Sequence, residues 1–265
     1  MRAIWTGAIG FGLVNIPVKI YSAVQGSELD LDMLDKKDHS NIRFQRVNEK
    51  TGKEVAWENI VRGYNLDGHY VVLTDEDFQK VRPEKNKLIT INEFVDEVEI
   101  DTMYYENPYY LAPDKSGVKA YNLLRDALEE TGKVGLGTYV LRNKESIGVI
   151  KPYENVLVLN KIRFGEEIRD TADLDIKTTK SNAAELKMAI ALINQLSGEF
   201  DITHFKDTYS SDLLKLIKDK AKGKKIQTPA LRIVHSRSKD LMEQLKASLG
   251  EKGEKKKSGG RRKAS

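Results

Sequence analysis

The chain has 265 residues, 44 Lys and Arg against 40 Asp and Glu, a net charge of +4, 40% apolar residues and no cysteine. Without cysteine there can be no disulfide framework, zinc ribbon, iron–sulfur cluster or thiol nucleophile, and a reducing cytoplasm is the simplest compartment. The longest uncharged run, Ala3 to Val18, has 16 residues and includes Gly7, Gly10, Gly12 and Pro17. A membrane span needs about 20 mostly apolar residues, and the same glycines and proline spoil the apolar stretch of a signal peptide.

The opening segment from Ile4 to Tyr21 reads as extended structure. Val14, Ile16, Val18 and Ile20 alternate with Asn15, Pro17 and Lys19, the period of a half-buried strand, and Pro17 argues for an edge or a bulge. Further short strands are expected at His69 to Leu73, Leu88 to Ile91, Val95 to Ile100, Thr138 to Leu141, Ile147 to Ile150 and Asn155 to Leu159. Short strands parted by turn residues suggest a barrel or sandwich rather than a repeating βαβ sheet.

Three helices stand out. Ser116 is a candidate cap for one that carries Tyr121, Leu124, Ala127 and Leu128 on one face and ends at Gly132; it would cover a barrel end. A second starts at Asn182, with Glu185 three residues on, and presents Leu186, Ala189, Ile190, Ile193 and Leu196 at helical spacing up to Gly198. A third, Asp212 to about Ala221, has Leu213, Leu214, Ile217 and Ala221 as its apolar face. Two amphipathic helices after the last strand need a surface to lie on, either their own barrel or another chain.

Gln227, Thr228 and Pro229 look like the start of a linker. Beyond it Ser238 can cap a short helix bearing Leu241, Met242, Leu245 and Leu249, a stripe suited to a groove on another protein or to packing back on the core. Residues 250–265 carry a charge of +5, leaving −1 for the other 249 residues. A Gly/Ser/Lys/Arg run of this kind cannot bury enough apolar surface to offset its ordering entropy, so disorder is expected.

Signals for chemistry weaken on inspection. The glycines at 7, 10 and 12 invert the dinucleotide fingerprint and precede a strand instead of a helix, so close strand contacts or bends explain them better. Gly132-Lys133 lacks the glycine five positions earlier that a phosphate loop requires. His39, His69, His204 and His235 are scattered, which gives no metal-ligand spacing. No catalytic residue, metal site or cofactor is expected.

Basic residues form a more coherent group. Lys36, Lys37, Arg43, Arg46, Lys50, Lys53 and Arg62 lie among Asn41, Gln45, Asn48 and Asn59. Cations and amides without an aromatic platform suit a duplex backbone better than single-stranded bases. Asp35, Asp38, Glu49, Glu54 and Glu58 dilute the charge, so on composition a solvated hairpin is an equal reading.

The string Ile4 to Tyr21, IWTGAIGFGLVNIPVKIY, resembles the opening of the prokaryotic Ku family. Similar segments continue in order through Arg62-Gly63-Tyr64, Tyr109 to Pro113, Ala120 to Leu128, Val140-Leu141-Arg142, Glu166 to Arg169, Glu185 to Ala189 and Phe205 to Tyr209, covering about residues 1–225. The resemblance implies a mixed β/α fold, a β-barrel core with a bridge insertion and C-terminal helical arms, paired as a homodimeric ring. It divides the chain into a core over 1–225, with the bridge at about 35–65 and dimerisation helices at about 182–221, a linker and partner-binding helix at 226–249, and a disordered basic tail at 250–265.

It further implies sequence-independent binding of double-stranded DNA ends, bridging of broken ends, and recruitment of DNA ligase D in non-homologous end joining, within the cytoplasm at the nucleoid and away from membranes. The DNA-binding candidates are then Lys19, Lys36, Lys37, Arg43, Arg46, Lys50, Lys53 and Arg62, with Lys255, Lys256 and Lys257 in the tail. Leu186, Ile190, Ile193, Leu213 and Ile217 are the interface candidates, and Leu241, Met242, Leu245 and Leu249 the ligase-docking ones. Two rivals remain in view. A metal-dependent nucleic-acid-processing enzyme would use acids such as Glu97, Glu99 and Asp101, and an RNA-binding barrel protein would stack bases on Tyr104, Tyr105, Tyr109 and Tyr110.

Overall fold

The computed structural model describes residues 1–27, 29–81 and 87–224. They form two compact units, one of the described residues of Met1–Gly26 and Asp30–Asp170, the other of Ser27 and Leu29 with the described residues from Thr171 onward.

The first unit is built on a closed barrel of seven strands in the order β1, β2, β6, β9, β8, β7, β5. These are β1 Trp5–Phe11, β2 Val14–Ser22, β5 Leu88–Asp96, β6 Tyr105–Pro113, β7 Lys133–Leu141, β8 Lys144–Tyr153 and β9 Val156–Ile162. All neighbours are antiparallel except β1 and β5, whose parallel pairing of Ala8 with Leu88 closes the barrel. The opening segment is thus a hairpin that turns at Gly12 and Leu13, and not one long strand. Pro17 lies just beyond the β2–β6 pairing, which begins at Val18, so its missing N–H costs nothing on that side.

Closure brings backbones very near each other at two glycines. A Cβ on Gly7 would stand 2.1 Å from the Lys87 carbonyl oxygen, and one on Gly137 2.0 Å from that of Thr90. Of the N-terminal glycines, Gly7 serves close strand contact and Gly12, at φ 55°, serves the turn, the two roles expected of them.

Inside the barrel Ile9, Val18, Ile20, Ile89, Leu111, Tyr139, Leu157 and Leu159 are all but fully buried. Helix α2, Val118–Thr131, adds Tyr121, Leu124 and Leu128 to this same core, so it plugs the barrel as expected. Each such side chain contributes roughly 1.5–3 kcal/mol of burial. The helix is capped by Gly117 instead of Ser116 and ends on Gly132 at φ 66. A smaller cluster of Val134, Val149 and Ile162 is covered by Val95, Ile100, Tyr104 and Tyr105.

Strand β5 stops at Asp96 and the chain enters a 3-10 turn at Glu97–Glu99, where a strand through Ile100 was expected. Val98 is 92% exposed, so the apolar alternation there does not mark a buried face.

The second unit holds α3, Ala183–Leu196, and α4, Thr208–Ala221. Asn182 caps α3 by accepting from the Ala184 amide at 2.9 Å. Helix α4 starts four residues before the expected Asp212, because Asp207 accepts from the Ser210 amide at 3.0 Å and from its hydroxyl. The Ser210 hydroxyl and amide, together with Ser27, hold the Asp207 carboxyl below its ordinary range. Neither helix contributes a buried residue. Among the described residues no helix is long and apolar enough to cross a membrane.

Candidate nucleic-acid interface

Between β2 and β5 the chain leaves the barrel for a long insertion, and no described residue from 22 to 88 is buried. Isolated bridges join Leu34 to Asn41 and Val47 to Glu54. A two-stranded hairpin follows, β3 Arg62–Leu66 and β4 His69–Leu73, turning at Asp67 and Gly68, whose amide is accepted by the Asn65 side chain at 3.0 Å. Helix α1, Asp75–Lys80, closes the segment, with Thr74 and Asp77 capping one another.

This insertion carries all seven of the candidate cations from Lys36 to Arg62. Its local turns spend their acids on backbone groups: Asp35 accepts from the Lys37 amide at 2.7 Å and Asp38 from the Ser40 amide at 3.0 Å. The Ser40 amide, then its hydroxyl, draws the Asp38 carboxyl below its usual value. Asn48 likewise accepts from the amides of Lys50 and Thr51, each at 3.0 Å, which fixes the turn that presents Lys50 and Lys53.

None of the seven cations has a carboxylate within salt-bridge distance among the described residues. Two of them are instead steadied by aromatic rings. The Arg46 guanidinium lies 4.5 Å over Trp57, and that of Arg62 lies 4.9 Å over Phe78. A ring beneath a guanidinium fixes its plane while leaving the N–H edges free for an anion.

The barrel treats its cations differently. Lys133 pairs with Asp96 at 2.9 Å, Lys151 with Glu97, and Lys161 and Arg163 both with Glu106. Lys19 belongs to this group: it sits on β2 and is held by Asp114 at 2.7 Å, an ion pair that raises its pKa. The structure therefore gathers seven of the sequence candidates in one insertion and leaves Lys19 apart from them.

Two of the three acids of the rival enzyme reading are engaged locally. Glu97 is bound by Lys151, and Asp101 accepts from the Met103 amide at 2.8 Å. Tyr104 and Tyr105 pack on the small cluster and Tyr109 on the main core, so they do not form an open stacking platform.

On the second unit Leu186, Ile190, Ile193 and Ile217 are 50%, 48%, 62% and 38% exposed, and Leu213 is half-buried. Phe200 and Phe205 nearby are 84% and 77% exposed. Leu241, Met242, Leu245, Leu249 and Lys255, Lys256 and Lys257 lie outside the described residues.

A family model described as the Ku70/Ku80 beta-barrel domain matches residues 10–188. The chain is 41% identical over 223 residues to a non-homologous end joining protein Ku of Opitutus terrae, covering 83% of this chain and 80% of that one. The protein of the same name from Archaeoglobus fulgidus is 39% identical over 252 residues, 94% of this chain and 98% of its own. The one from Coxiella burnetii is 36% identical over 265 residues, 97% of each.

Proposed function

Since the chain belongs to the Ku family of non-homologous end joining proteins, we propose that it binds the ends of double-stranded DNA without regard to sequence, as a homodimeric ring, and has no chemical step of its own. The observation that carries this reading is the contrast between the barrel strands, where Lys19, Lys133, Lys151 and Lys161 are each held by a carboxylate, and the insertion, where none of the seven cations has one and no residue is buried, among the described residues. A cation already bonded to a carboxylate gains little from a phosphate. An unpaired one releases condensed counterions from the duplex and gives affinity that falls steeply with salt.

Homodimerisation rests on α3 and α4. A helix pair with no buried residue and exposed Leu186, Ile190 and Ile193 is short of the burial that normally stabilises amphipathic helices, and a second copy supplies it. The bridging of broken ends follows from rings on two ends meeting. We assign recruitment of DNA ligase D to the stripe Leu241, Met242, Leu245 and Leu249, and a supporting electrostatic role to Lys255, Lys256 and Lys257. Removing residues 230–265 should leave the dimer intact and weaken ligase stimulation.

The deciding experiment compares binding to one duplex as a linear fragment and as a closed circle at matched salt, with a single-stranded control. A strong preference for the linear form, and retention of protein when the ends are ligated shut, is the expected result. Equal binding to circle and line would mean that the basic surface coats DNA, and the ring would have to be given up.

A further inference from the structure

One cavity in the first unit joins the insertion to the barrel. It has a volume of about 660 Å³ and is lined by Arg62 of β3, Asp75, Phe78 and Gln79 of α1, and Arg142 and Asn143 of the β7–β8 turn. Two arginines from segments far apart in sequence thus face one space. Neither has a carboxylate within salt-bridge distance among the described residues.

The backbone at Arg142 makes the placement informative. Arg142 and Asn143 link β7 to β8 as a two-residue turn with φ of 53° and 68°. Such a turn wants Asn or Gly at both positions, and an arginine held in the left-handed region costs on the order of 1 kcal/mol. A strained position occupied by a long, exposed cation points to a role for that cation. Across the cavity the Phe78 ring under Arg62 holds its guanidinium plane, so the fork is oriented before an anion arrives. Among the described residues Asp75 is the single carboxylate in the lining, and against the two arginines it leaves one excess positive charge, the amount one phosphodiester neutralises.

We propose that Arg62 and Arg142 together form a seat for one phosphate of nucleic acid, so that bound DNA fastens the insertion to the β7–β8 turn. This deepens the end-binding reading and rests on it. The shared ligand chemistry is a phosphate oxyanion, and the assignment is to the internal backbone diester and not to a terminal monoester.

The test measures binding of a short linear duplex by fluorescence anisotropy over a salt series, using full-length protein. The variants are Arg142→Asn, Arg62→Gln and the pair together. Asn suits the turn better than Arg does, so Arg142→Asn should keep or raise Tm, and a loss of affinity cannot then be blamed on folding. Each single change should weaken binding about 5–30-fold and lower the salt slope by about 0.9, the value for one phosphate contact. Because one phosphate is shared, the double variant should be hardly weaker than the worse single, whereas losses that multiply would overturn a common seat.

Arg142→Lys should retain part of the affinity. The losses should be equal for duplexes with 5′-phosphate and 5′-hydroxyl ends; a loss confined to the phosphorylated end would move the ligand to the terminal monoester and overturn the assignment. Unchanged binding by Arg142→Asn, with wild type binding normally, would overturn the seat alone. Failure of wild type to bind linear duplex would instead overturn the end-binding reading.

Discussion

The hydroxyl of Tyr121 on α2 accepts the amide proton of Leu157 on β9 at 2.6 Å, and gives its own proton to the Leu111 carbonyl on β6 at 2.6 Å. One phenol so anchors the plugging helix to two neighbouring strands in a buried place, and burial pushes its pKa up. Tyr121→Phe keeps the ring and strands both backbone groups. The expected cost is about 2–4 kcal/mol, since an unpaired buried donor or acceptor costs about 1–3 kcal/mol. Urea unfolding should show a lower midpoint at unchanged slope; an unchanged midpoint would mean that water satisfies both groups.

Glu106 supplies a pH dependence. Its carboxyl is held below the ordinary value of 4.5, first by the hydrogen bond from Lys161, against a smaller opposing effect of burial, and then by the charges of Lys161, Arg163 and Lys144. A folded pKa below the unfolded one gives stability that is present above about pH 4.5 and is lost as pH falls through the folded value. Glu106→Gln should therefore be less stable than wild type near neutrality, by about 1–3 kcal/mol. The two should converge in acid, as followed by thermal unfolding between pH 7 and 3. A difference that stays constant with pH would assign the loss to packing.

The insertion cations can be tested as a group. Replacing Lys36, Lys37, Arg43 and Arg46 by Ala should weaken binding to every duplex sequence alike and lower the salt slope by about 3–4. Since none of the four touches the barrel core, the melting temperature should stay within a few degrees. Unchanged affinity would place the duplex elsewhere on the molecule.

The apolar stripe of α3 predicts the assembly state. Ile190→Glu with Ile193→Glu puts two charges where Ile190 and Ile193 are 48% and 62% exposed in the single chain. Sedimentation should then pass from dimer to monomer while the thermal transition of the barrel persists. A double variant that remains dimeric would move the interface off this helix.

The fold was legible where periodicity was strong. Ile16, Val18 and Ile20 announced β2, and the Tyr121, Leu124 and Leu128 face with Gly132 behind it announced α2. Strand β6 went unread because its apolar residues do not alternate: Pro108 interrupts it and the register shifts between Tyr105 and Pro108. Strand β3, with Gly63 and Asn65 in its middle and every residue exposed, carries no apolar period to detect. At the site the residue types were readable but their pairing was not. Asp35 and Asp38 could as well have neutralised Lys36 and Lys37; only the folded turns, which direct those carboxylates to the amides of residues 37 and 40, leave the cations free. Arg142 was passed over because the left-handed turn that displays it depends on the β7–β8 register.

An insertion with no buried residue among those described, set between two strands of a closed barrel, makes this a molecule with two clocks. Amides of β2, β7, β8 and β9 are locked behind the core and should exchange with solvent deuterium only through global unfolding, over hours or longer. Amides of the β3–β4 hairpin are hydrogen-bonded but exposed on both faces, and should exchange through local opening within seconds to minutes. A duplex that occupies the insertion would slow the second clock and leave the first untouched, so grip on DNA becomes visible as time.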